Sequence, residues 1–134
     1  MKLTSRYRFS ASHRLDTPAL SPEENRRLYG KCNNPHGHGH DYLLEITVDG
    51  PVDPDGQVVN REALNALVRS QVLTRLDHKN LNADVPEFAR SVPTTENLAT
   101  LVRGALAEHW TLPARLARVW ISETGRNSCE LEVS

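Results

Sequence analysis

The chain has 134 residues, 16 of them Lys or Arg and 17 Asp or Glu, for a formal net charge of −1. That length predicts one domain, residues 1–134, able to bury a core without disulfide or metal staples. Near-neutral charge excludes a field that would draw nucleic acid or an anionic membrane, so an anionic ligand must be met by local basic residues. No run of about 18 apolar residues predicts a membrane span, and MKLTSRYRFSASH lacks the apolar centre of a secretory signal. The expectation is a cytoplasmic protein with Cys32 and Cys129 as free thiols.

Residues 3–13 alternate. Leu3, Ser5, Tyr7, Phe9, Ala11 and His13 would share one face of a strand, and Thr4, Arg6, Arg8, Ser10 and Ser12 the other. His13 therefore ends the apolar face, where a solvated histidine is not expected. Ser21 with Glu24 then reads as a capping box, Pro22 suits the first helical position, and Gly30 ends this short helix.

Cys32 to Gly39 reads as a loop, and a second strand begins at about His40. Tyr42, Leu44, Ile46 and Val48 alternate there with Leu43, Glu45, Thr47 and Asp49. DGPVDPDGQ is a turn. Asn60 caps a helix running to about Leu73, and residues 76–92 look irregular. Thr94 or Thr95 caps a second long helix with Leu98, Leu101, Val102, Ala105 and Leu106 as its stripe. Two last strands follow Pro113, joined by the TGRNS turn. Strands at both ends around two helices predict an α+β fold: a four-stranded antiparallel sheet with two long helices on one face. The opposite face is mixed and cannot cover itself, which predicts an oligomer.

The chemistry-bearing segment is CNNPHGHGHDY. His36, His38 and His40 hold half of the six histidines in the chain. Residues two apart on a strand share a face, so spacing permits either His36 with His38 or His38 with His40. His36 lies deep in the loop after Pro35, which favours His38 and His40, with His13 as the third ligand. Three imidazoles with an open position describe a catalytic zinc site, whereas a structural one would more often be closed with thiolates. On this local pattern alone, a solvated histidine-rich loop is an equal reading. Cys32 is then a reagent or a fourth ligand, and Cys129, alternating with Leu131 and Val133, is an inert core thiol.

The blocks FSASHRL, GKCNNPHGHGHDY, LDHKNLN, PTTENLA and ISET, in this order from Phe9 to Thr124, resemble the 6-pyruvoyl-tetrahydropterin synthase family. The resemblance implies a zinc-dependent carbon–oxygen lyase acting on 7,8-dihydroneopterin triphosphate. It also implies the tunnelling fold, closed into a barrel and assembled as a homohexamer, a dimer of trimers with active sites at subunit interfaces. By motif, His13, His38 and His40 correspond to the zinc ligands. Cys32 corresponds to the catalytic cysteine and Asp77 with His78 to the pair that works with it. Glu123 corresponds to the pterin anchor, and Thr94, Thr95 and Glu96 fall in the substrate-binding segment. Arg14 and Lys31 are the nearest candidates for the triphosphate. A sister activity, 6-carboxy-tetrahydropterin synthesis toward 7-deazaguanine (queuosine) nucleosides, would use the shorter register from Cys32 to His36 and His38. A zinc- or pterin-binding module without catalysis is the remaining alternative.

Overall fold

In a computed structural model describing residues 1–134, the chain folds in this order: β1 (Lys2–His13), α1 (Pro22–Tyr29), β2 (His38–Asp49), α2 (Arg61–Val68), α3 (Thr74–Leu76), β3 (Lys79–Asn80), α4 (Leu81–Asp84), α5 (Thr95–Glu108), β4 (Arg115–Ser122) and β5 (Ser128–Glu132). The sheet order is β3-β1-β2-β4-β5. β1, β2, β4 and β5 pair antiparallel, as their alternation predicts.

The sheet has five strands rather than four and is mixed, because β3 adds a short parallel edge to β1 at Ala11 and Ser12. Two residues are too few to show an alternating pattern, so this strand is silent in the sequence. A second difference lies in the first long helix. It continues past α2 through a π turn, Arg69–Leu73, into α3. β2 also begins at His38, earlier than its hydrophobic alternation suggests, because His38 pairs with His13 across the β1–β2 ladder.

The predicted inner faces carry the core. Phe9 and Ala11 of β1, Tyr42, Leu44, Ile46 and Val48 of β2, and Val119 and Ile121 of β4 are buried. They join one cluster with Leu64 and Val68 of α2, Val72 of the π turn, and Leu98, Val102 and Leu106 of α5. Burial of each such side chain contributes on the order of 1.5–3 kcal/mol. α1 starts on the predicted capping box: Ser21 Oγ accepts from Glu24 N, and Glu24 Oε1 accepts from Ser21 N.

The other sheet face is mixed, with an ionic network beside Leu43 and Trp120. Glu45 accepts from Arg6 at 2.9 Å and from Arg118 at 3.1 Å, Thr4 and Thr47 share a hydrogen bond at 2.7 Å, and Arg118 also pairs with Glu130. Such pairs satisfy charges without supplying much stability where they are exposed. Both helical stripes are spent on the opposite face, which leaves this surface uncovered within the protomer.

Candidate functional site

His13 and His40 end inner-face positions on neighbouring strands, so the β1–β2 pairing brings their rings together edge to face, with centroids 4.9 Å apart. Their Nε2 atoms are 3.1 Å apart. Glu123 follows β4 directly, and its Oε1 lies 2.7 Å from His40 Nε2 and 3.3 Å from His13 Nε2. Cys32 Sγ is 3.8 Å from His40 Nε2. The donor atoms of His13, Cys32, His40 and Glu123 all lie within 4.8 Å of one another.

The turn carrying Cys32 is sewn onto the chain just after His13. Leu15 N donates to Cys32 O, and buried Asn33 donates from its amide to Leu15 O and Asp16 Oδ1. Gly37 closes the same turn in the left-handed region, at φ +78°, and packs so tightly that an added Cβ would stand 2.9 Å from His13 O. Only glycine meets both requirements without strain.

His13 is 1% exposed, and its Nδ1 faces Pro93 O at 2.8 Å. A carbonyl only accepts, so Nδ1 carries a hydrogen, and Nε2 is the nitrogen turned to Glu123 and His40, donating to the carboxylate when protonated and offering a lone pair to a cation when not. Metal-binding histidines are oriented in this way, by donating their other nitrogen to a backbone carbonyl. The Tyr42 hydroxyl, buried against the same ring, lies 3.3 Å from Nδ1. Its burial pushes the phenol far above its ordinary pKa, so it stays neutral. Neither Pro93 nor Tyr42 stands out in the sequence. One acts through its backbone, and the other falls in a regular apolar alternation.

Burial and neighbouring charge together set the protonation here. Burial pulls His40 below its ordinary pKa, against the attraction of Glu123, and favours a neutral imidazole at pH 7. The Glu123 carboxyl is held below its usual range chiefly by His13, with help from His40 and from Thr95, against the opposing effect of burial. Burial first, then the charge on Glu123, pushes the Cys32 thiol up. The protomer alone therefore does not supply a thiolate at neutral pH. A cation among these donors would reverse that push. Two imidazole nitrogens, a carboxylate and a thiol converging with few hydrogens to share among them form a donor set that fits such a cation, Zn²⁺ included.

The other expected residues fall around this cluster. His38 is exposed, opposite His13 in the ladder, with its ring edge-on to His40 at a centroid distance of 4.7 Å. His36 is exposed in the loop, and the adjoining cleft also includes Arg14. The two threonines divide their work: Thr94 Oγ1 caps α5 by accepting from Asn97 N, while buried Thr95 donates to Glu123 Oε2 at 3.0 Å. Glu96 is exposed in the first turn of α5.

Asp77 and His78 lie outside the cluster, on the edge of β1. Asp77 Oδ1 accepts from Ser10 N at 2.9 Å, and His78 N donates to Ser10 O at 2.6 Å. His78 Nδ1 is 3.1 Å from Asp77 Oδ1, and its side chain is 82% exposed. At φ +60° His78 is the one non-glycine residue with positive φ, a cost accepted where geometry matters. A cleft of about 580 Å³ opens between His78, Lys79, Ser10, Asp41 and His40.

The model of the family described as 6-pyruvoyl tetrahydropterin synthase matches residues 2–133. The chain belongs to that family. Within the family, it is 50% identical over 121 residues to 6-pyruvoyl tetrahydrobiopterin synthase of Poecilia reticulata, covering 89% of this chain and 81% of that one. It is 46% identical over 128 residues to the Homo sapiens protein of the same name, covering 94% and 87% of the two chains. The solved structure of 6-pyruvoyl tetrahydropterin synthase from Caenorhabditis elegans superposes with a TM-score of 0.92 at 38% identity, covering 100% of this chain and 96% of that one. The α+β architecture expected from the resemblance is thus the family's, with a short parallel edge strand added to the expected sheet.

Proposed function

We propose that this chain, as one catalytic domain over residues 1–134, is a zinc-dependent carbon–oxygen lyase. Its reaction converts 7,8-dihydroneopterin triphosphate to the 6-pyruvoyl tetrahydropterin with loss of triphosphate. The observation that carries this reading is the convergence of His13, His40, Cys32 and Glu123 on one point in a chain of this family. His13, His38 and His40 would hold the ion. When bound, zinc supplies a positive charge that polarises the hydroxylated side chain of the substrate.

The remaining work falls to the chain. Glu123 anchors the pterin: the ring presents an amino group and a ring N–H side by side, and a carboxylate accepts both. The helix start at Thr94–Glu96 adds donors beside it. Cys32 takes a proton from a side-chain carbon; the electrons of that C–H bond form a carbon–carbon double bond, and those of the breaking carbon–oxygen bond leave with the triphosphate. Asp77 orients and charges His78, which receives or returns protons. A protomer keeps this pair outside its own cluster, and His78 projects into solvent. The reading is therefore a site shared between copies, in a homohexamer that also covers the ionic sheet face. Release of triphosphate by the purified, zinc-loaded protein tests the activity, and no release would refute it.

The longer register, Cys32 to His38 and His40, favours the pyruvoyl over the 6-carboxy activity. Its support is that His40 meets His13, while His36 stays exposed. No helix is long and apolar enough to cross a membrane.

A further inference from the structure

Cys32 lies in a short turn, Gly30–Asn33, that belongs to neither the sheet nor a long helix. Its place beside the histidines is therefore set by whatever grips that turn. The grip comes from Arg14 and Leu15, where the chain leaves β1. Leu15 N donates to Cys32 O at 2.6 Å, Asn33 Nδ2 donates to Leu15 O at 2.7 Å, and Arg14 Nε donates to Asn33 O at 3.2 Å. The β1–β2 ladder ends at His13, so β2 does not fix these two residues in return.

Asn82 does so from the other side. Its Oδ1 accepts from Arg14 N at 2.7 Å, and its Nδ2 donates to Arg14 O at 2.9 Å. The β1–β3 pairing stops at Ser12 opposite Asn80. Asn82 comes two residues later and meets Arg14, so its side chain extends the ladder where the backbone has already turned into α4. Asn82 is itself held. Asn80 Oδ1 accepts from Asn82 N at 3.0 Å and from Ala83 N at 3.2 Å, Asp84 Oδ2 accepts from Asn80 N at 2.9 Å, and Leu81 is fully buried. A side chain on so fixed a backbone has less freedom to lose in gripping another segment.

We propose that Asn82 is a positioning residue for the lyase reaction, acting through Arg14 and Leu15 on the Cys32 turn. This rests on the reading of Cys32 as the proton acceptor. His13 is held independently of Asn82, by its place opposite His38 in the ladder and by Pro93 O at Nδ1. Removing the Asn82 amide therefore shifts the thiol against histidines that stay in place. A displacement of about 1 Å in a reacting group costs on the order of 10²-fold in rate.

The test compares the parent, Asn82→Ala, Asn82→Asp, Asn60→Ala and Cys32→Ala proteins as full, zinc-loaded chains. Triphosphate release from 7,8-dihydroneopterin triphosphate gives kcat and KM, elemental analysis gives zinc content, and thermal melting shows that each is folded. Alkylation of Cys32 by iodoacetamide in the metal-free proteins is followed by peptide mass. Asn82→Ala should lose about 10–100-fold in kcat with KM and zinc content unchanged, and its Cys32 should be alkylated severalfold faster as the turn loosens. Asn82→Asp keeps an acceptor for Arg14 N and should recover part of the loss. Asn60 caps α2 through Ala63 N, away from the site, so Asn60→Ala should lower the melting temperature and leave turnover alone. Full turnover in folded Asn82→Ala overturns the proposal, as does an unchanged rate of Cys32 alkylation. No recovery in Asn82→Asp, or an equal loss of turnover in Asn60→Ala, overturns it too. Loss of zinc in Asn82→Ala would place the effect on His13 and overturn it as well. A parent that releases no triphosphate, or full turnover in Cys32→Ala, would instead overturn the underlying reading of Cys32, and the proposal with it.

Discussion

Glu123 Oε1 stands 2.7 Å from His40 Nε2, although one residue follows β4 and the other lies near the start of β2. The β2–β4 ladder begins at Leu43 opposite Ser122, so the end of one strand necessarily delivers its next residue to the start of the other. The same reasoning places His13 beside them, through the β1–β2 ladder. The site is a product of sheet register, and its side chains are therefore sensitive to single substitutions that leave the fold intact.

Metal content separates the histidines. His13→Ala, His38→Ala and His40→Ala should each lose most bound zinc by elemental analysis, while His36→Ala keeps it. Zinc retained in His38→Ala together with loss in His36→Ala would shift the register to the shorter spacing.

Cys32→Ala should keep its metal and its melting temperature but lose turnover by about 10²–10⁴-fold, the range for removal of a general base. Full turnover in this variant would remove Cys32 from the chemistry.

The Cys32 thiol should show a raised pKa in the metal-free protein, because burial and then Glu123 disfavour its anion. The sign follows: the folded state holds the proton more tightly than the unfolded chain. The stability tied to this group is thus complete below the ordinary thiol pKa and lost as pH rises through the raised one. Alkylation by iodoacetamide, followed against pH, should give a midpoint above the ordinary thiol value, and Zn²⁺ should lower it. A midpoint below the ordinary value in the metal-free protein contradicts the electrostatics described.

Gly37→Ala should destabilise the protein by about 1–3 kcal/mol, since it forces a side chain into a left-handed conformation and against the His13 carbonyl. Zinc affinity should fall with it, because His13 must shift. Denaturant unfolding and chelator competition measure the two effects. A Gly30→Ala control, also at positive φ but with nothing near its Cβ, should weaken stability without touching zinc affinity.

The inner strand faces were legible because alternation is a local property: Phe9, Ala11, Tyr42, Leu44 and Ile46 could be assigned without any knowledge of their neighbours. His13 was legible for the same reason, as a polar residue ending an apolar face, whereas His38 and His40 were favoured together because His36 lies deeper in the loop. Glu123 was readable only as a pterin anchor, because its approach to the histidines depends on strand pairing. β3 and the Ser10 tether of Asp77 and His78 were hidden in an irregular segment, where a two-residue bridge leaves no period. Thr95 looked like an alternative helix cap. Its hydroxyl is directed elsewhere only because Thr94 occupies that role.

The most direct measurement is the mass of the pterin formed when the zinc-loaded protein is incubated with 7,8-dihydroneopterin triphosphate. A 6-pyruvoyl tetrahydropterin with one equivalent of released triphosphate is the expected result. A 6-carboxy product accompanied by acetaldehyde, or unchanged substrate, would contradict it.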